Sequence, residues 1–255
     1  MQSSVWDTLL FVKQDVWHGF NRGFLSVEGY SAWVVAPRQA RPGNPWSWCL
    51  EFPDAFTERC AALRLLEEGF HHVYFDKHNN FGSPETLKEY NSFHRMLTGS
   101  GLAGKAVLIA VSRGGLSAYR WASENPEKVA VIYGDAPVCD FKSWPAGKMS
   151  SKGNAGDWDL CLRAYRFKDE AEALAYPGNP VDTLEPLARA GIPLIHVVGD
   201  EDVAVPVAEN SDIVERRYRK LGGNIVVIHK PGVGHHPHGL EDQTPVIEFI
   251  LRHVS

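Results

Sequence analysis

A mostly parallel α/β sheet, edged by an antiparallel N-terminal hairpin and covered by helices on both faces, is the fold class this sequence predicts. Three observations carry that expectation. From residue 46 onward, short apolar runs alternate with helical patterns, the signature of βαβ units. Before that point, two stretches rich in β-branched and aromatic residues, Trp17 to Val27 and Tyr30 to Ala36, are separated by Glu28-Gly29, a hairpin signal. The run VLIAVSRGG, Val107 to Gly115, ends an apolar strand abruptly in a serine followed by glycines, as a sharp strand-to-helix turn requires.

The elements follow in order. After the hairpin, a Pro/Gly-rich loop from Pro37 to Pro45 leads into the first central run, Trp46 to Phe52. Further buried strands are predicted at His72 to Phe75, Ala106 to Val111, Val129 to Tyr133, Ile192 to Val198 and Ile225 to Ile228, each short, apolar and rich in β-branched residues. Ser83-Pro84-Glu85 starts a helix with an N-cap candidate, an early proline and an acid, and Thr244-Pro245 starts the last one. Asp135 to Pro180 breaks the alternation. It is rich in Gly, Lys, Trp and Asp without a buried strand, and reads as a lid inserted over the sheet of a single domain. No internal repeat or linker is evident in the sequence.

Composition narrows the function. With 255 residues, 44% hydrophobic and 22% charged, the chain can build one large core. A net charge of −5 without blocks of like charge argues against nucleic acid and against an anionic membrane, and favours a small-molecule partner. No run approaches the length of a membrane span, and MQSSVWDTLLF lacks a basic n-region and a cleavage site. The expectation is a cytoplasmic chain, or an exported one if a signal has been removed. Cys49, Cys60, Cys139 and Cys161 have no C-x-x-C spacing and are expected to be buried thiols, although a lid disulfide between Cys139 and Cys161 is conceivable in an exported protein.

The candidate chemistry gathers after the strands. Ala110-Val111-Ser112-Arg113-Gly114 matches G-x-S-x-G with alanine at the first position, and small residues are needed there because the turn forces strand and helix backbones together. A serine hydroxyl is a weak nucleophile unless a base takes its proton and an acid orients the base. Gly199 to Pro206, after one strand, offers Asp200, Glu201 and Asp202. Pro231 to His236, after another, offers His235 and His236, with His238 close behind. An open parallel sheet builds its sites at this edge.

These residues resemble the α/β-hydrolase superfamily, from the hairpin at Trp17 to the final helix. The order Ser112, Asp202, His235 is that superfamily's order. Gly199 to Pro206 is similar to its G-x-x-D-x-x-V-P, which favours Asp202. Gly232-Val233-Gly234-His235 is similar to its G-x-G-H, which favours His235. SRGGL at 112–116, DAPVCD at 135–140, KSW at 142–144 and GVGHHPHGL at 232–240 resemble a bacterial subgroup associated with ester-decorated carbohydrates. The resemblance implies a carboxylesterase-like serine hydrolase, acting through a Ser-His-Asp triad and an acyl-enzyme on a small-molecule or carbohydrate ester, without a cofactor. It also implies an oxyanion hole built from the Arg113 amide and from Phe52 or Asp54, since Pro53 has no N–H. The superfamily's His-Gly pair is absent from that loop, and His18-Gly19 lies too early to serve.

Other readings stay open at this point. Asp135 is a rival acid, because some members of the superfamily place theirs after that strand. A peptidase, an acyltransferase or a catalytically silent binding module would use the same fold. The Arg113 side chain either grips a substrate or forms a surface salt bridge. Trp144 and Trp158 are the pocket candidates, whereas Trp46 and Trp48 are expected in the core. His235, His236 and His238 are not expected to converge on a metal ion, and Asp200, Glu201, His236 and His238 read as turn or loop residues. Gly99 to Gly104 spells G-x-G-x-x-G but precedes a strand instead of following one, so it is not a dinucleotide site.

Overall fold

The structure, a computed structural model, describes residues 5–254. Nine strands form one sheet: β1 (Lys13–Trp17), β2 (Phe20–Val27), β3 (Tyr30–Val35), β4 (Trp46–Cys49), β5 (His71–Phe75), β6 (Ala106–Val111), β7 (Val129–Asp135), β8 (Leu194–Gly199) and β9 (Ile225–Lys230). Their order is β1-β2-β3-β5-β4-β6-β7-β8-β9. The first three strands and the β3–β5 contact are antiparallel, and every pairing from β5 through β4 to β9 is parallel. The mixed sheet with an antiparallel N-terminal edge is the architecture the sequence predicts.

The helices are α1 (Val5–Thr8), α2 (Ala62–Glu67), α3 (Pro84–Gly99), α4 (Gly114–Glu124), α5 (Ala155–Tyr165), α6 (Glu170–Leu174), α7 (Glu185–Arg189), α8 (Ser211–Lys220) and α9 (Thr244–His253). Strands covered on both faces must be apolar throughout, and AVLIAV in β6 is buried at all six positions. Two cores result. One places Trp48 edge-on against Phe93 and Trp121 and beside Tyr90, at centroid distances of 5.3, 5.1 and 4.9 Å. The other packs α2 and α9 against the opposite face through Leu65, Leu66, Val246 and Ile250. Trp46 and Trp48 are fully buried. No helix among the described residues is long and apolar enough to cross a membrane.

Three details depart from the sequence reading. The N-terminal edge has three strands instead of two, because His18 and Gly19, at φ +47° and +81°, turn the chain between β1 and β2. β1 is mostly exposed and polar, so it carries no alternation to be read. β4 stops at Cys49, and Phe52 already lies in the left-handed region at φ +55°. The excursion between β7 and β8 holds α5 and α6, capped by Asn154 and Asp169 through bonds from the amides of Asp157 and Glu172, at 3.0 and 2.9 Å. Only Cys161 of α5 is fully buried, which leaves too narrow an apolar stripe to show as helical periodicity. All four cysteines are free and buried. Gly99 closes α3, so the G-x-G-x-x-G stretch follows a helix, as expected.

Candidate active site

The site is built where β6, β7, β8 and β9 end. Ser112 follows β6 at φ +50°, a left-handed backbone that costs a serine roughly 1–3 kcal/mol and persists only when its surroundings enforce it. Here they do. Its amide donates to the Asp135 carbonyl at 2.9 Å, while its own carbonyl accepts from Val138 at 2.8 Å and from Gly115 at 3.0 Å. A side chain at Gly115 would meet the Val138 carbonyl at 2.5 Å, so the tight approach of α4 to the exit of β7 depends on that glycine. Ala110 is fully buried, and the register sets Gly134 beside it, a neighbour with no side chain to compete for space.

His235 comes from the loop after β9, and its Nε2 lies 3.0 Å from Ser112 Oγ. Its Nδ1 lies 2.6 Å from Asp202 Oδ2. Asp202 is itself held: its Oδ1 accepts from the amides of Ala204 and Val205 at 2.9 and 2.8 Å, and its side chain is 1% exposed. Acid strand and histidine loop meet backbone to backbone, since a Cβ on Gly199 would fall 2.3 Å from the Gly234 carbonyl.

The three aspartates among the candidate acids each have a different histidine. Asp200 pairs with His229 at 2.7 Å on the surface. Asp135 pairs with His238 Nδ1 at 2.7 Å in a buried position. Asp202 alone of the three pairs with His235. The Asp135–His238 pair leaves no signal in the sequence, because its two residues lie 103 positions apart.

Arg113 sits at the N-cap of α4, where helix geometry leaves amides without intrahelical acceptors. Its guanidinium bonds Glu51 at 2.9 Å and Asp157 of α5 at 3.2 Å, and lies over the rings of Phe52 and Phe81 at 5.0 and 5.8 Å. Of the two roles open in the sequence, the structure places this side chain in an ion-pair cluster, half-buried instead of on the surface. Burial pushes the Glu51 carboxyl up, and Arg113 and then His78 pull it back down. Neither Glu51 nor Asp157 carries a sequence signal, because they lie 62 and 44 residues from Arg113.

Phe52 and Asp54 lie in the loop after β4, where the Phe52 carbonyl accepts from Ala55 at 3.0 Å and Asp54 binds the Trp17 indole at 2.7 Å. Trp144 packs beside Phe81, the ring that Arg113 also overlies, with centroids 6.4 Å apart. Trp158 packs on Phe141 at 5.8 Å, within an apolar cluster that joins the excursion to Phe81, Leu116 and Val205 and also holds Trp144. Two cavities of about 540 and 440 Å³ are lined by the loops at Arg38–Pro42 and at Ala103–Lys105, where parallel strands begin, and none of Ser112, Asp202 and His235 lines them.

The sequence argues against convergence of His235, His236 and His238, yet one ring nitrogen from each lies within 4.8 Å of the other two. A turn at His236-Pro237 folds the three imidazoles edge to face, with centroids 4.7 to 5.0 Å apart. They fit a metal poorly all the same. Both nitrogens of His235 are engaged by Ser112 and Asp202, and one nitrogen of His238 by Asp135, so an ion could take His235 only by displacing one of its partners.

The crossovers and the strand order define a class, the α/β-hydrolase fold, and solved structures share it. Porphyromonas gingivalis dipeptidyl peptidase 4 superposes with a TM-score of 0.64 at 10% identity, over 96% of this chain and 36% of that one. A lipase candidate from Acinetobacter baumannii gives 0.63 at 15% identity over 92% of both chains, and the acylaminoacyl peptidase of Pyrococcus horikoshii gives 0.62 at 13% over 91% and 39%. The chain thus spans between 36% and 39% of the length of those two peptidases. No family model matches the chain, and no curated protein does.

Proposed function

We propose that this chain is a serine hydrolase cleaving carboxylic esters. The observation that carries the reading is the continuous line from Ser112 Oγ to His235 at 3.0 Å and on to Asp202 at 2.6 Å, held at the C-terminal edge of the sheet. A nucleophile, a base and an orienting acid in hydrogen-bond contact are what acyl transfer to serine requires.

Ser112 Oγ attacks the ester carbonyl while His235 Nε2 takes its proton. The imidazolium is stabilised by Asp202, whose position is fixed by two backbone amides. The oxyanion is received by the Arg113 amide at the start of α4 and by the Phe52 amide. Such donors act on charge that develops only in the transition state, and each is worth about 10²–10³ in rate. His235 then returns the proton to the leaving alcohol, and a water activated by the same imidazole releases the acid. Every proton in the cycle moves between side chains, substrate and water, so the chemistry asks for no cofactor.

The substrate class follows from the rim. The Arg113 guanidinium, on the residue after Ser112, lies over the rings of Phe52 and Phe81, and Trp144 packs beside Phe81. Such faces suit the ring of a sugar or an apolar acyl group, and support a small-molecule or carbohydrate ester. Residues 135–180 act in this reading as the lid, tied to the elbow by Asp157 and Arg113. Trp144 and Trp158 are the aromatic faces this lid offers to a substrate, both in the apolar cluster around Phe141.

The test is turnover of a short p-nitrophenyl ester. Ser112→Ala is expected to lose all turnover above background while keeping its unfolding temperature. A variant as active as the parent would sink the assignment. Peptide and ester substrates share this triad, so an aminoacyl p-nitroanilide run beside the ester separates peptidase from esterase.

A further inference from the structure

Beneath His235 lies a second acid–histidine pair that the proposed mechanism does not use. Asp135 closes β7 and is 1% exposed, and His238 is 3% exposed. Both carboxylate oxygens of Asp135 are occupied. Oδ1 meets His238 Nδ1 at 2.7 Å, and Oδ2 accepts from the Tyr133 hydroxyl and the Gly239 amide, each at 2.8 Å. A carboxylate this buried is tolerated only where its lone pairs are met. Its partners here come from its own strand and from the loop that carries His235. The main chain of the same residue accepts from the Ser112 amide at 2.9 Å. One residue thus fastens the nucleophile's turn through its carbonyl and the histidine loop through its carboxylate.

The His238 ring in turn stands edge to face against His235, with centroids 4.7 Å apart, and Phe56 packs against His238 from another side at 5.4 Å. Further ties hold the loop at the same place. The His238 carbonyl accepts from Arg59 Nε at 2.9 Å, and the Pro237 carbonyl from Lys230 Nζ at 2.7 Å. The loop bearing His235 has no regular secondary structure from residue 231 to 243, so its shape comes from such ties.

We propose that Asp135 and His238 are positioning residues for the hydrolytic reaction: a buried pair that fixes the His235 loop against the Ser112 turn, so that the base stays within reach of the nucleophile. Neither touches the reacting atoms. The claim rests on the Ser112–His235–Asp202 reading above and adds two residues to it. A displacement of about 1 Å in a catalytic group is worth up to about 100-fold in rate, so the pair should act on kcat and leave KM alone.

The experiment is steady-state hydrolysis of a p-nitrophenyl ester by the parent, His238→Ala, His238→Asn, Tyr133→Phe and Ser112→Ala, with unfolding temperatures measured alongside. His238→Ala is expected to lower kcat about 10- to 100-fold with KM within twofold. His238→Asn keeps a donor where Nδ1 stood and is expected to recover most of the loss. A role confined to filling space would give no such rescue. Tyr133→Phe keeps the ring and removes one donor to Asp135, and is expected to cost kcat a few-fold; it carries the test should His238→Ala fail to fold. Parental kcat in His238→Ala, or in Tyr133→Phe where that variant decides, overturns the proposal. So does an asparagine variant as impaired as the alanine one. Should Ser112→Ala retain parental turnover, the triad reading fails and the positioning claim falls with it; an inactive Ser112→Ala beside a fully active His238→Ala overturns the positioning claim alone.

Discussion

Arg113 pairs its guanidinium with a buried acid, and in the proposed mechanism its amide receives the oxyanion. Glu51 is 3% exposed at its side chain and Arg113 15%, so removing the cation strands a carboxylate in the interior. Arg113→Ala is therefore expected to cost roughly 3–5 kcal/mol of stability in urea denaturation, the range for breaking a buried ion pair from one side. Arg113→Ala with Glu51→Gln should regain a good part, because the amide carries no charge to strand; equal losses in the single and double variants would contradict this. At this scale Ser112, Asp202 and His235 were legible because each follows a strand with small residues around it. Their pairing was less so. Asp135, Asp200 and Asp202 look alike in sequence, and only the tertiary meeting of three loops gives each its own histidine.

The decisive contacts between elements are backbone approaches. Gly199 ends β8 so close to the His235 loop that a methyl group would sit 2.3 Å from the Gly234 carbonyl and 2.4 Å from that of Val233. Gly199→Ala should push the loop outward, destabilise the fold by about 1–3 kcal/mol and lower kcat, as measured by thermal unfolding and ester hydrolysis. A fully active, equally stable variant would show that the loop yields freely. The central strands were legible because burial on both faces demands uninterrupted apolar runs, as in β6 and β8. β1 was hidden by its polar, solvent-facing edge. α5 and α6 were hidden because each buries a single residue, Cys161 and Ala173, and so shows no broad apolar stripe.

Across the whole molecule, buried histidines set the response to acid. Burial pushes His71 down to about 4, and His72 and His196 down to about 3. Between those values and the ordinary value of 6.5, the unfolded chain binds protons that the folded chain refuses, so stability falls as pH drops below 6.5. Three such protons give a slope of at most about 4 kcal/mol per pH unit. Glu51, whose carboxyl burial raises, acts with the opposite sign only just above the ordinary carboxylate range, where the folded state keeps a proton that the unfolded state has released. The urea midpoint should therefore fall as pH drops from about 6.5 towards 4, and a flat profile there would contradict the neutral buried state of these rings. The central claim is that the fold presents Ser112 as an activated nucleophile, and labelling by a fluorophosphonate probe reads it directly. The account predicts a single phosphonylated peptide containing Ser112, absent in Ser112→Ala and suppressed in His235→Ala; an unlabelled parent, or a label on another residue, would contradict it.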